Sequence, residues 1–91
     1  MKLKAFSIRD QKAEIFNTPY FNKTMGEAER NFAQAVNDSK TMLNKYPEDF
    51  DLYYLGEYDD QKGTVAWEET PKHIAKAVSF VQSPQPIDSQ K

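Results

Sequence analysis

Cationic and aromatic residues alternate along the first half of the chain, and this is the combination of residue types with the clearest chemical use. Single-stranded nucleic acid is bound by cations that follow the phosphates and by aromatic rings on which bases stack. The candidate phosphate contacts are Lys4, Arg9 and Lys12, and the candidate stacking residues are Phe16, Tyr20, Phe21 and Tyr53. Six Phe, five Tyr and one Trp must also build the core, so we expect at least half of these rings to be buried.

The charges are divided unevenly between the two halves of the chain. Residues 1–45 carry eight Lys or Arg against five Asp or Glu, whereas residues 46–91 carry four against nine, for a net charge of -2. A nucleic-acid face is therefore expected in the first half and an acidic face in the second. The alternative is the mixed surface charge that small soluble domains ordinarily show.

Metal binding and catalysis find little support in the residue types. The acidic residues between Asp49 and Asp60 could offer oxygen ligands to Mg²⁺ or Ca²⁺, but they lack the ligand spacing of a calcium loop and read as a solvated turn. The chain has no cysteine, and its one histidine, His73, is expected at the surface. The common nucleophile and base pairs are missing, as are the known catalytic motifs. We expect no metal, no cofactor and no enzymatic activity.

The segment from Tyr46 to Trp67 must position the acidic residues, and it predicts a turn followed by a β-hairpin. Pro47 ends the preceding helix, and the residues after it alternate with a period of two. One face of the first strand would hold Leu52, Tyr54, Gly56 and Tyr58. Asp59 and Gly63 suit a short hairpin loop with a bulge, and residues 64–68 form the return strand.

The N-terminal residues, which hold the candidate phosphate contacts, predict a first hairpin. Residues 2–8 form one strand and residues 13–16 the other, with a polar turn between them. Both faces of the first strand carry apolar residues, which indicates an interior strand, or a strand covered by a helix on one face and by a partner on the other. Tyr20 and Phe21 would begin the connection to the helix.

A capped helix follows, because Thr24 and Glu27 form a capping box. Its apolar stripe consists of Met25, Ala28, Phe32, Ala35 and Val36. Residues 40–45 predict one more turn with Met42 and Leu43 pointing inward. Residues 71–81 favour a short helix begun by Thr70 and Pro71, although residues 78–81 equally suit a strand. Residues 82–91, with two prolines and no periodicity, are expected to be a flexible tail.

The elements together predict an α+β domain of residues 1–81, in the order ββα(α)ββα, with two hairpins in a small antiparallel sheet and one main helix packed on it. Phe32, Val36 and Leu55 should share its core. A chain this short gains core by pairing, so we expect a homodimer joined at a strand edge. No run approaches the ~18 apolar residues of a membrane span, and the charged N-terminus does not resemble a signal peptide, so the protein is expected to be soluble and intracellular.

Several motifs resemble one known family. They are Tyr-Pro-Glu-Asp-Phe at 46–50, Leu-Gly-Glu-Tyr-Asp-Asp-Gln-Lys-Gly-Thr at 55–64, Asp-Gln-Lys-Ala at 10–13, Thr-Pro-Tyr-Phe at 18–21 and Gly-Glu-Ala-Glu-Arg-Asn-Phe at 26–32. Over roughly residues 1–80 the chain resembles the small nonstructural protein of gokushovirus-type microviruses, which are tailless phages with circular single-stranded DNA.

The resemblance implies a non-enzymatic protein of the host bacterial cytoplasm that is absent from the mature virion. It implies a role in viral DNA replication and single-stranded genome synthesis, with binding of single-stranded DNA. The alternative is a protein-interaction adaptor whose acidic hairpin docks onto the phage replication or procapsid machinery or a host factor. A common surface for basic and aromatic side chains would favour DNA, whereas an apolar and acidic patch would favour a protein partner.

Overall fold

A curled antiparallel sheet of five strands is the frame of the protein, whose computed structural model describes residues 1–82. Apart from Gln82, the predicted tail lies outside the described residues. The strands are β1 (Lys2–Asp10), β2 (Ile15–Phe16), β3 (Tyr20–Asn22), β4 (Phe50–Asp59) and β5 (Thr64–Lys76). Their order is β2-β1-β4-β5, and β3 also pairs with β1. The predicted interior position of β1 is confirmed. Tyr20 and Phe21, expected in a connection, instead form β3 opposite Phe6 and Ala5.

Two α-helices lie between β3 and β4, namely α1 (Met25–Val36) and α2 (Met42–Lys45), and a 3-10 turn, Pro47–Asp49, follows them. The predicted start of α1 is confirmed, because the Glu27 amide donates to Thr24 Oγ1 over 3.0 Å. The Glu27 carboxylate in turn accepts from the Lys23 amide at 2.9 Å and from Asn22 at 3.2 Å. These hydrogen bonds, the one from the Lys23 backbone first, lower the pKa of Glu27. None of the helices within residues 1–82 is long and apolar enough to cross a membrane.

The core lies between α1 and one face of the sheet. Its buried members are Phe6, Ala28, Phe32, Val36, Leu43, Phe50, Leu52 and Ala77. Phe32 and Val36 are there as predicted, and the sheet contributes Leu52 instead of Leu55. Leu43 points inward as predicted, but Met42 is 55% exposed. The four residues of α2 present only one side to the core, so two consecutive side chains do not both enter it.

Leu55 lies outside the core because Leu52 and Tyr54 face the core and side chains alternate along β4. A β-bulge at Leu55 then changes the faces of the residues that follow. Phe6 of β1 pairs with Tyr54, and the preceding residue Ala5 pairs with Gly56, which leaves Leu55 without a partner on β1. One extra residue reverses the alternation of side chains. Tyr54, which precedes the bulge, packs against the core, whereas Tyr58, which follows it, lies on the opposite face of the sheet. The predicted common face of Leu52, Tyr54, Gly56 and Tyr58 is wrong from the bulge onward.

The segment after the second hairpin loop is a long strand, so the helix predicted for residues 71–81 is wrong. β5 continues to Lys76 and is followed by a 3-10 turn, Ala77–Phe80. Pairing with β4 holds this segment in an extended conformation, since residues 72 and 73 pair with Tyr54 and Tyr53. The register shifts between Trp67 and Lys72, and Pro71 lies within this irregular stretch of an edge strand, where its missing N–H interrupts no regular ladder.

Candidate nucleic-acid interface

The face of the sheet turned away from α1 carries a group of aromatic side chains. Strand register places them there, because they pair with β1 and β4 residues that point away from the core. We call this surface the open face, and its rings belong to Phe16, Phe21, Tyr53, Tyr58 and Trp67. Phe16 is 36% exposed, Phe21 45% and Trp67 60%. Solvent-exposed rings on a rigid sheet are available for stacking with a ligand.

The rings of the open face form two pairs that meet above β1. Phe16 and Tyr53 have centroids 5.2 Å apart with an angle of 69° between the ring planes, and Phe21 and Tyr58 are 5.7 Å apart at 50°. Both are tilted arrangements that aromatic rings favour. The β1 residue next to each pair is small and fully buried, Ser7 in one case and Ala5 in the other. Small side chains at these positions allow rings from β2, β3 and β4 to approach one another.

Arg9 places a cation on the open face. It pairs with Phe16 across the β1–β2 register, and its guanidinium carbon lies 5.2 Å from the centre of the Phe16 ring. Its Nε donates to Gln11 Oε1 over 3.1 Å. Within residues 1–82 no carboxylate comes within salt-bridge distance of Arg9. The terminal N–H groups of the guanidinium can therefore bind an anion.

A chain of hydrogen bonds leads from Arg9 in β1 to His73 in the edge strand β5. Gln11 Nε2 donates to Asp51 Oδ2 over 3.4 Å, and His73 Nε2 lies 3.1 Å from the same oxygen. The His73 ring then packs edge-on against Tyr53, with centroids 5.3 Å apart. Six side chains thus form a closed circuit, which we call the Arg9–His73 ring: Arg9, Gln11, Asp51, His73, Tyr53 and Phe16. It joins an anion-binding group, stacking surfaces and a carboxylate in one site.

The other predicted DNA contacts lie elsewhere. Lys4 points to the helix side of the sheet, where its Nζ is 5.7 Å from the centre of the Tyr54 ring. Lys12 is exposed in the turn after β1, and Phe21 lies with Tyr58 at the other end of the open face. Tyr20 packs against Phe6 at 6.1 Å, and burial raises the pKa of its hydroxyl. The structure thus brings together Arg9, Phe16 and Tyr53 and separates them from Lys4 and Tyr20.

The basic first half and the acidic second half of the chain do not form two separate charged faces at β1. Lys2 and Lys4 of β1 lie 4.0 Å and 3.8 Å from the carboxylate oxygens of Glu57 in β4. The two strands are neighbours in the sheet, so basic and acidic residues from different halves alternate across them. These ion pairs reduce the positive potential that the N-terminal residues would present alone.

Asp59 of the second hairpin forms hydrogen bonds within the hairpin loop. The Asp59 carboxylate accepts from the amides of Gln61 and Lys62, and the Gly63 amide donates to the Asp59 carbonyl over 2.8 Å. Gly63 has a φ of 70°, as the predicted loop with a glycine requires. In the part of the chain that the structure describes, no three His, Asp or Glu side chains are grouped as metal ligands.

Three members of the Arg9–His73 ring, namely Gln11, Asp51 and His73, were not predicted as site residues. One signal in the sequence could have indicated Asp51, since aspartate is depleted in strands and this one stands between Phe50 and Leu52. An aspartate at such a position needs a polar partner. Nothing in the sequence pairs it with His73, which belongs to a segment expected to be helical.

Comparison with known proteins agrees with the resemblance drawn from the motifs. A family described as "Phage ORF5 protein" matches residues 3–80. Protein ORF5 of Chlamydia phage 1 is 40% identical over 68 residues, which make up 69% of this chain and 70% of that protein. No solved structure matches the chain. The similarity to proteins of gokushovirus-type microviruses is thus confirmed, and the chain belongs to the phage ORF5 protein family.

Proposed function

We propose that this phage protein is non-enzymatic, acts in viral DNA replication and single-stranded genome synthesis, and binds single-stranded DNA on its open face. The observation that carries the proposal is the position of Arg9 beside the paired rings of Phe16 and Tyr53, on the side of the sheet that α1 leaves free. A cation without a carboxylate partner binds phosphate, and the neighbouring rings receive a base.

An antiparallel sheet that presents aromatic rings opposite its helix suits a single strand better than a duplex. Unpaired bases can turn outward and stack on such rings, whereas the bases of a duplex are already stacked on one another. Phe16 and Phe21 face Arg9 and Ala5 of β1, which are four residues apart, so the two ring pairs are separated by about 13 Å along the strand. A bound strand would therefore place different nucleotides on the two pairs.

The proposed binding is weak, because few free cations lie near the rings. Arg9 lies beside the first pair, and Lys76 pairs with Asp51 across the β4–β5 register. Each phosphate contact to a single strand contributes about 0.7 to the slope of log K against log salt. One or two contacts would give a slope of roughly -0.7 to -1.4, a modest dependence on salt.

Binding of labelled single-stranded and duplex oligonucleotides over a salt series tests the proposal. We expect the single strand to bind more tightly, and Phe16→Ala to weaken binding by ~1 to 3 kcal/mol with little change in the salt slope. Tyr46→Ala is a matched control, because Tyr46 is 50% exposed and lies outside the open face. Absence of single-strand binding at low salt would contradict the proposal.

A second function, that of a protein-interaction adaptor, has one specific observation in its favour. Among the large apolar side chains of residues 1–82, that of Trp67 is the most exposed, and it lies on the hairpin that also carries Glu57, Asp59 and Asp60. Exposed tryptophans are frequent anchors in protein interfaces. The partner would be a phage replication or procapsid protein or a host factor. If this function is the correct one, Trp67→Ala should abolish recovery of that partner from infected cells while Phe16→Ala leaves it intact.

We propose in addition that two copies pair along the outer edge of β5. Thr64–Trp67 is the regular part of this edge, and its outer backbone groups have no strand beside them within residues 1–82. The irregular stretch that contains Pro71 limits pairing to this end of the strand. Sedimentation at tens of micromolar should then give twice the mass of the 10.5 kDa chain. A single species of 10.5 kDa would exclude the dimer.

A further inference from the structure

We infer that the Arg9–His73 ring distinguishes between bases, and that the Asp51 carboxylate selects a base with an exocyclic amino group over one with a carbonyl oxygen in its place. This inference rests on the proposed binding of single-stranded DNA and adds a recognition element to it. Stacking alone accepts any base, because every base has an aromatic face. The Arg9–His73 ring adds a hydrogen-bonding group, the Asp51 carboxylate, beside the stacking surface.

The hydrogen bonds within the Arg9–His73 ring determine which donors and acceptors it offers to a ligand. Gln11 Oε1 accepts from Arg9, which orients the amide so that its nitrogen donates to Asp51. A carboxylate only accepts, so His73 holds its proton on Nε2 when it bonds to the same oxygen. Both donors go to Asp51 Oδ2. What the site offers to a ligand is therefore a guanidinium donor at Arg9 and a carboxylate acceptor at Asp51.

The second oxygen of Asp51 is the free acceptor. Oδ1 accepts no hydrogen bond from residues 1–82, although Asp51 is only 9% exposed. In the same part of the chain, Asn22 Oδ1 is the one enclosed side-chain polar atom without a partner, so Asp51 Oδ1 must reach solvent. A mostly buried carboxylate with one open oxygen binds an N–H donor more strongly than it would in bulk water.

The ligand class follows from the edges of the bases. Cytosine carries an amino group at N4, where thymine and uracil carry the carbonyl oxygen O4, and aspartate accepts from cytosine N4 in known interfaces. A carbonyl oxygen facing Asp51 Oδ1 would leave two acceptors opposed without a proton between them. With the base on the Phe16 and Tyr53 rings and its phosphate at Arg9, cytosine should be favoured over uracil.

The decisive comparison uses oligodeoxycytidine and oligodeoxyuridine of about ten nucleotides, within the range of single-strand site sizes. Measured above neutral pH with the full chain, cytosine should bind on the order of tenfold more tightly, as one charge-assisted hydrogen bond would give. An oligomer of N4,N4-dimethylcytosine, which lacks both amino protons, should lose that advantage. The comparison uses only the unaltered protein, so it decides the inference without any variant.

Two substitutions then assign the effect to Asp51. Asp51→Asn replaces the open acceptor by an amide that also donates, so the preference for cytosine should disappear or reverse. Asp60→Asn makes the same change of charge at an exposed position in the second hairpin loop, and it should keep the preference. A preference lost equally in both variants would show that net charge is responsible and would overturn the inference.

The possible failures are distinguishable. Equal binding of the cytosine and uracil oligomers would overturn base selection and leave the proposed DNA binding intact. Binding of neither oligomer at low salt would overturn the proposed function itself, and the inference with it. Binding of cytosine that survives dimethylation at N4 would place the source of the preference outside the Asp51 carboxylate and would also overturn the inference.

Discussion

Lys4 and Arg9 belong to the same strand but act on opposite sides of the sheet. The ammonium of Lys4 lies 3.8 Å from Glu57 on the side that faces α1, whereas the guanidinium of Arg9 lies over Phe16 on the open face. The two positions are separated by an odd number of residues in a regular strand, so their side chains must diverge. Two cations that the sequence presents as one group are therefore not equivalent.

The first prediction concerns the salt dependence of DNA binding. Arg9→Ala should reduce the slope of log K against log salt by about 0.7, because one phosphate contact is lost. Lys4→Ala should leave the slope nearly unchanged, since Lys4 is paired with Glu57 and turned away from the rings. Fluorescence anisotropy with a labelled single strand measures both variants. Equal effects of the two substitutions would show that the strand does not run over the open face.

The second prediction concerns the core. Phe32 is 1% exposed and packs edge-on against Phe80 at 5.8 Å. Phe32→Ala should lower the free energy of unfolding by roughly 3 to 5 kcal/mol, because it removes buried surface and leaves a cavity. Met42→Ala should change it by less than about 0.5 kcal/mol, as is usual for exposed side chains. Urea unfolding measures both, and similar midpoints would mean that α1 packs elsewhere.

The third prediction concerns the close contact between β4 and β5 at Gly56. A Cβ at this position would collide with the Ala66 carbonyl oxygen and come within 2.9 Å of the Trp67 Cα, both of which are backbone atoms. Gly56→Ala should therefore cost about 1 to 3 kcal/mol of stability. A Cβ on Gly26 would meet nothing within 4 Å, so Gly26→Ala in α1 should be neutral or stabilising by about 0.5 kcal/mol. Thermal unfolding of the two variants should give shifts of opposite sign or clearly unequal size.

The fourth prediction concerns pH. Hydrogen bonds from the Lys23 amide and from Asn22 hold the pKa of Glu27 below its ordinary value of 4.5. The stabilising effect of the charged carboxylate is fully present above the ordinary pKa and is lost as the pH falls through the lowered pKa of the folded state. Glu27→Gln should therefore remove part of the loss of stability below pH 4.5. Unfolding midpoints of both proteins between neutral and acidic pH test this, and parallel curves would contradict it.

Local patterns in the sequence determined the parts of the fold whose interactions are close along the chain. Thr24 and Glu27 are three residues apart and form the helix cap without outside help. Asp59 and Gly63 likewise close the second hairpin loop among themselves. Such contacts depend on residue type and on spacing along the chain, so they can be predicted without knowledge of the tertiary structure. The sequence motifs likewise indicated the protein family, because they can be recognised in the sequence without the structure.

Only the tertiary structure decided how the strands align. The bulge at Leu55 and the length of β5 result from pairing between segments that are distant in sequence, and one extra residue in a pairing sends every later side chain to the other face. The Arg9–His73 ring depends on these registers, since its members come from β1, the turn after it, β2, β4 and β5. The residue types in the sequence indicated that cations and aromatic rings could form a binding site. The register of the sheet decided that Arg9 meets those rings and Lys4 does not, because the face of a side chain is determined by its partners across the sheet.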